Sequence, residues 1–304
     1  MGTLLILELE AANAEEAARI LGKCWVEADR LEKVFSRYDS ESELSRINRE
    51  AFAGPVTVSE EMLVVLSRSL EISRLTGGAF DVTVGPLLEV WGLFPQREGK
   101  VPGPEEIAAA LARVGWEKII LEPENSAVRF LHPGLELDLG GLAKGYVVDR
   151  LAALLVSEGV RNALVNAGGD IFCLGSHPRG RGWRIGVEHP RREGEILAAL
   201  ELRDRAIATS GDYRNYFIHQ SRHYSHIIDP RTGEPARTGV MESTALASDC
   251  LTADALATAL FVLGPERGLE FLESDPDWEG LMIAGDDGEF VIHRSTGFPV
   301  KEER

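Results

Sequence analysis

The chain has 304 residues, with 32 Lys+Arg against 49 Asp+Glu, a net charge of −17 at pH 7 and 44% hydrophobic residues. A pI near 4.9 without a basic cluster leaves nucleic-acid backbones and anionic lipid surfaces no electrostatic foothold, so sequence-independent DNA or RNA binding is excluded first. Cys24, Cys173 and Cys250 are far apart and form no C-x-x-C pair, which excludes a disulfide scaffold and a zinc module.

Leu5, Leu7 and Leu9 alternate with Glu8 and Glu10, which predicts an opening strand. That apolar run is too short and too soon acidic for a signal peptide, and no segment has the ~18 uncharged apolar residues of a membrane span. As given, the chain reads as soluble and unexported. A helix is predicted from Ala14 to about Tyr38, with Ala18, Leu21, Trp25, Ala28, Leu31 and Phe35 as its apolar stripe. Ser59 caps a second helix that Thr76-Gly77-Gly78 stops, and Pro104 opens a third that ends at Gly115.

Lys118–Leu121 and Ala127–Leu131 read as a hairpin, and Glu136–Leu139 as a further strand. Gly140-Gly141 opens a helix that buries Val147, Val148, Leu151, Leu154 and Leu155 and closes at Gly159. Strands are predicted at Asn162–Asn166, Ile171–Leu174, Trp183–Val187, Ile196–Glu201, Ala206–Thr209, Tyr216–His219 and His226–Ile228. A helix from about Thr252 to Leu263 ends at Gly264-Pro265. A short helix near Arg267–Leu272 and a hairpin of Gly280–Ala284 with Glu289–His293 across a Gly-Asp-Asp-Gly turn close the chain.

Strands and helices are partly segregated, and no repeat or linker divides the chain. The expected fold class is α+β: one compact domain over residues 1–304, of mixed or antiparallel sheet with packed helices. No G-x-G-x-x-G follows a strand, which argues against a Rossmann sheet.

Four segments could carry chemistry. The turn with Gly140, Gly141 and Lys144 puts backbone N–H groups at a helix N-terminus, where the dipole favours phosphate. Lys144 opposes that dipole, which is easier to explain if it faces an anion; glycines serving only close packing are the alternative. Asn166-Ala-Gly168-Gly169-Asp170 and Thr209-Ser210-Gly211 interrupt strand patterns, either as turns or as places where the backbone approaches a ligand. Asp254 and Thr258 share one helical face among alanines, a pair suited to a hard cation or to local capping. His226, with Asp229 opening the turn after it, is a positioned general base or a packed structural histidine. Neither G-x-S-x-G nor H-E-x-x-H is present, which removes the commonest serine-hydrolase and zinc-protease readings.

In order, Met1-Gly-Thr3, Phe35-Ser-Arg-Tyr38 with Ser42-Glu-Leu-Ser-Arg-Ile-Asn48, Gly77-Gly-Ala-Phe-Asp81-Val-Thr83, Asp138-Leu-Gly-Gly-Leu-Ala-Lys144-Gly-Tyr-Val-Val-Asp149, Val165-Asn-Ala-Gly-Gly-Asp170, Ala208-Thr-Ser-Gly-Asp212, Ser225-His-Ile-Ile-Asp-Pro230 and Ala253-Asp-Ala-Leu-Ala-Thr258 resemble the FAD:protein FMN transferases of the ApbE type. The resemblance implies the flavin transferase fold and Mg²⁺-dependent transfer of FMN from FAD to a Thr or Ser hydroxyl of an acceptor, such as a respiratory redox subunit, with release of AMP. By similarity, Asp254, Thr258 and a carbonyl of the Gly141 turn hold the metal. Lys144 and the Gly140-Gly141 turn face the pyrophosphate, and His226 with Asp229 serves the acceptor hydroxyl. Tyr38 offers an aromatic face, and Asp81, Asn166, Gly168, Gly169, Asp170, Thr209, Ser210 and Gly211 line the nucleotide cleft. Many members carry a lipoprotein signal before the segment that begins here, so localisation stays open. An FAD pyrophosphatase and a non-catalytic FAD-binding protein are the competing readings.

Overall fold

The computed structural model describes residues 3–93, 99–213, 216–286 and 289–303. In chain order they form β1 (Leu5–Leu9), α1 (Ala14–Phe35), α2 (Glu43–Glu50), β2 (Val56–Thr57), α3 (Glu60–Leu75), α4 (Gly85–Val90), α5 (Pro104–Leu111), β3 (Ile119–Glu122), β4 (Ala127–Phe130), α6 (Ala143–Ser157), β5 (Ala163–Ala167) and β6 (Asp170–Leu174). The second half adds β7 (Trp183–His189), β8 (Arg192–Leu202), β9 (Arg205–Gly211), β10 (Tyr216–His219), β11 (Arg222–Ser225), β12 (Ile228–Asp229), β13 (Glu234–Pro235), β14 (Val240–Ala247), α7 (Cys250–Leu263), α8 (Pro265–Leu272), β15 (Glu279–Gly285), β16 (Phe290–Arg294) and β17 (Val300–Glu303). The expected α+β class holds. Among the described residues no helix is long and apolar enough to cross a membrane.

A seven-stranded sheet ordered β1-β5-β6-β9-β14-β15-β16 organises the molecule, and every neighbouring pair in it is antiparallel. Alternation of side chains sorts its residues onto two faces. Ala206, Ala208, Ala245 and Ala247 meet α7 in the main core, where the small residues let the helix approach closely, and α6 packs beside it on β5 and β6. Ile207, Leu246, Leu281 and Ile283 point the other way, onto Trp183, Ile185, Val187 and Leu200 of the β17-β8-β7 sheet. A third cluster joins Leu87 and Trp91 to Tyr224 and Ile228, and the Trp91 indole N–H donates to the Gly233 carbonyl at 2.8 Å.

Several expectations need correction. The stripe of α1 is Ile20, Cys24, Ala28, Leu31 and Phe35, whereas Ala18 and Trp25 face solvent. Among the described residues Glu136–Leu139 joins no ladder beyond one bridge between Glu136 and Val84. Instead Asn48 exchanges hydrogen bonds with both backbone groups of Leu137, at 2.8 and 3.0 Å, and Arg37 ties down Glu136 and Asp138. His226 lies in the bend between β11 and β12 rather than in a strand. The helix from Pro104 stops at Leu111, earlier than expected. The sequence reading lacked α2, α4, β2, β11, β13, β14 and β17; β14 is buried on both faces, so it shows no alternation. Part of the expected turn between β15 and β16 lies outside the described residues.

All three cysteines are buried, and burial pushes the Cys24 and Cys173 thiols up to about 11 and about 12, which suits small hydrophobes.

Candidate active site

The N-terminal ends of α6 and α7 converge because Gly145 has no side chain: a Cβ there would collide with the Cys250 carbonyl. Asp249 caps α7 by accepting the Thr252 N–H at 2.7 Å. Asp149, from α6, accepts the Cys250 and Leu251 N–H groups at 2.7 and 2.8 Å and so ties one helix to the start of the other. Burial pushes the Asp149 carboxyl up to about 7 although both N–H bonds favour its charge, and nearby Asp249 and Asp254 add to the rise.

At this junction the Lys144 ammonium lies 2.8 Å from Asp170 Oδ2, an ion pair by distance. It also donates to Asp254 at 3.1 and 3.3 Å and to the Gly140 carbonyl at 3.2 Å. Asp254 further accepts the Gly145 N–H at 3.2 Å. Burial pushes the Asp254 carboxyl up to about 7, the Asp170 charge pushes the same way, and Lys144 only partly offsets them. Burial opposes the Lys144 charge, but Asp170 and Asp254 outweigh it and raise its pKa. The anion facing Lys144 is thus a carboxylate pair of the protein itself.

One turn along α7, Thr258 Oγ1 stands 3.3 Å from Ser210 Oγ on β9. Gly141 leaves this hydroxyl uncovered, since a Cβ there would come within 3.1 Å of it. Asp254, Asp170, Thr258, Ser210 and the Gly140 carbonyl form an oxygen-only donor set, the kind that hard cations prefer. Two carboxylates share a single ammonium, which leaves one negative charge in excess when both are ionised, so a divalent cation fits the charge here. Among the described residues no three His, Cys, Asp or Glu side chains group as metal ligands; such a site would depend on hydroxyl and carbonyl oxygens.

Of the residues nominated from sequence, Gly140, Gly141, Lys144, Asp170, Ser210, Asp254 and Thr258 come together. The helix start is less open than expected, because Asp138 takes the Gly140 N–H and the Leu139 carbonyl takes those of Leu142 and Ala143. Tyr38 is exposed and follows Arg37, which holds Asp138 at 2.9 Å. Asp81 is buried and turned to structure: it accepts from the Thr83 N–H and hydroxyl and from the Trp116 N–H. Gly168 (φ +67°) and Gly169 (φ +101°) are the two central residues of the β5–β6 hairpin, and Asn166 accepts the Gly169 N–H at 2.8 Å. This turn accounts for the glycines and delivers Asp170 to Lys144.

Thr209 pairs with Thr244 at 3.0 Å on the sheet face opposite Ser210, and the Tyr213 ring lies against Gly211. His226 is half-buried ahead of Ile227, a residue of the main core. Asp229 is engaged bidentately by Arg231, both bonds at 2.8 Å. Sequence reasoning placed Gly145 in the candidate phosphate turn and Asp149 in the stretch that carries the resemblance, but gave neither the helix-joining role it has here. An acid inside the apolar run Tyr146-Val-Val-Asp149-Arg-Leu was the available signal for the latter.

A family model described as the ApbE family matches residues 1–282. An FAD:protein FMN transferase of Vibrio cholerae is 41% identical over 265 residues, spanning 86% of this chain and 78% of its own. The Escherichia coli K12 protein of that name is 33% identical over 287 residues, 93% of this chain and 81% of its own. Among solved structures, the flavin transferase ApbE from Vibrio cholerae superposes with a TM-score of 0.88 at 36% identity, covering 98% of this chain and 95% of that one. The ApbE protein of Thermotoga maritima gives 0.87 at 35% identity, with the same coverage.

Proposed function

The chain belongs to the ApbE family, and from that membership and the Lys144 cluster we propose that it is an FAD:protein FMN transferase that uses Mg²⁺, modifies a Thr or Ser hydroxyl and releases AMP. The observation that carries the reading is the shared ammonium: Lys144 holds Asp170 and Asp254 where two helix N-termini meet, with Thr258 and Ser210 beside them.

Asp254, Thr258 and a carbonyl of the Gly140-Gly141 turn would hold Mg²⁺, which supplies charge neutralisation of the pyrophosphate and polarises the phosphorus under attack. Lys144 would face the pyrophosphate oxygens, and the N-terminal dipole of α6 favours the same negative charge. The acceptor hydroxyl oxygen bonds to the phosphorus of the FMN half, the bridging P–O bond breaks, and AMP leaves with the bridging oxygen. His226 takes the hydroxyl proton. Asp229, fixed on Arg231, acts as a positioning residue for the turn that carries His226. Tyr38 and the Asn166–Asp170 hairpin border the nucleotide.

The test incubates the protein with FAD, with and without Mg²⁺ and a flavin-accepting respiratory subunit, and follows AMP together with covalent flavin fluorescence. Mg²⁺-dependent AMP with a flavinylated acceptor is the expected result. AMP with only free FMN would make the chain a pyrophosphatase, and FAD binding without AMP would make it a binding protein.

A further inference from the structure

The loop between α1 and α2 folds back on itself around two serines. Ser36 Oγ accepts the Tyr38 and Asp39 N–H groups at 3.2 Å each, and the Ser42 hydroxyl, which caps α2, donates to the Ser36 carbonyl. The loop thus presents Arg37 and Tyr38 in a fixed pose, both within reach of the Asp138 charge. Arg37 Nη1 lies 2.9 Å from Asp138 Oδ2 and Nη2 lies 3.2 Å from Glu136 Oε2, and the Arg37 and Asp138 side chains are only 13% and 15% exposed. Such shielding sets the pair apart from an open surface bridge. Tyr38 is 66% exposed, yet its hydroxyl feels the same pair: burial raises its pKa first, the Asp138 charge adds to the rise and Arg37 offsets part of it.

The backbone around Asp138 is held without Arg37. Asn48 engages both backbone groups of Leu137, and the Asp138 N–H donates to the Val82 carbonyl at 2.7 Å. What Arg37 adds is a grip on the carboxylate. The other oxygen, Oδ1, accepts the Gly140 N–H at 2.9 Å, and the bare Gly140 leaves room for it, since a Cβ there would come within 2.9 Å of that oxygen. One carboxylate therefore joins Arg37 to the glycine turn, and Gly140 passes the link on through its carbonyl, which accepts from Lys144 at 3.2 Å.

Resting on the reading of that turn as the pyrophosphate site, we infer that Arg37 is a positioning residue for FAD. It neutralises and fixes Asp138, so that the Gly140-Gly141 turn and Tyr38 meet the dinucleotide as one preset surface. Arg37 need not touch FAD to do so. Without its guanidinium, Asp138 would place an uncompensated negative charge beside a turn that faces a negative pyrophosphate, in a chain already at −17. The consequence falls on binding, and so on KM, rather than on the step at phosphorus, whose groups stand on α7 and the His226 bend.

The test compares the full chain with Arg37→Met, Arg37→Lys and the double variant that joins Arg37→Met to Asp138→Asn. FAD affinity in the presence of Mg²⁺ is read from flavin fluorescence, KM and kcat from AMP release with the acceptor present, and folding from urea titration. Arg37→Met is expected to weaken FAD binding and raise KM about tenfold, the scale of one lost charge-assisted hydrogen bond, with kcat within about twofold. Arg37→Lys, which restores the charge but not the fork, should return KM to within about threefold of wild type. Asp138→Asn added to Arg37→Met removes the uncompensated charge while keeping an oxygen for the Gly140 N–H, and is expected to recover affinity. A merely structural arginine would lower stability with FAD affinity unchanged, or give a double variant that binds no better than the single, and either result would overturn the inference. The expected affinity pattern without AMP release or flavinylation would leave the Arg37 clamp standing and defeat the transferase reading; flavin transfer with an FAD affinity indifferent to Arg37 would do the opposite.

Discussion

The two faces of the seven-stranded sheet are built from the same strands but to opposite rules. Toward the β7-β8-β17 layer, Ile207, Leu246, Leu281 and Ile283 interlock with large apolar side chains, and burial is the main stabilising term. Toward the helices the strands carry alanines and hydroxyls, and two helices converge on a cluster of buried charge. One residue of register separates the two: Ser210 reaches Thr258, while Thr209 reaches Thr244 on the other side. Large interlocking side chains hold the sheet's shape, which leaves the helical face free to keep costly charges.

Substitutions on the two faces should therefore fail differently. The largest effect is expected from Asp254→Ala, a loss of roughly 100- to 1,000-fold in turnover, on the order of 3–4 kcal/mol of transition-state stabilisation. Assays of AMP and covalent flavin check it, and unchanged turnover would break the contrast from the functional side. Leu281→Ala, wholly buried on the opposite face, should lower unfolding free energy by about 2–5 kcal/mol in urea titration while leaving kcat within twofold. Ser210→Ala and Thr209→Val form the closest pair. On the proposed reading the first raises the Mg²⁺ requirement several-fold, whereas the second costs only ~1 kcal/mol of stability through its lost hydrogen bond. A Thr209 variant that shifted the Mg²⁺ titration would show that the two faces communicate.

A further effect concerns pH. The Asp149 carboxyl is raised to about 7 in the folded chain, so between its ordinary range near 4 and pH 7 the folded state holds the proton more tightly than the unfolded one. Stability from this group is present at low pH and lost as pH rises through 7. Asp149→Asn should flatten that slope in urea melts at pH 5 and 8, with a modest penalty because an amide oxygen replaces two carboxylate acceptors.

The helical face was also the more legible in sequence. Lys144, Asp254 and Thr258 stand at helix positions where charge or hydroxyl oxygen contradicts the local pattern, so they could be nominated before any contact was visible. β14 could not, because Glu242, Ser243 and Thr244 are wholly buried with partners distant in sequence, such as Tyr213, the Ala257 carbonyl and Thr209. The Glu136–Leu139 pattern predicted a strand, but Asn48, nearly ninety residues earlier (|i−j| = 89), supplies the hydrogen bonds a ladder would have provided. Asp229 was nominated from its place after His226, and nothing in the sequence showed that Arg231 engages it.

The pairing of β1 with β5 sets Leu5 opposite Ala167. β1 thus leaves the ribosome long before the strand it pairs with. At about 5–20 residues per second it waits roughly ten to thirty seconds, and until then its hydrogen-bonding edge is open to any other extended chain. Glu8 in that strand and Glu10 just after it are well placed to repel such visitors while the nascent protein is still incomplete.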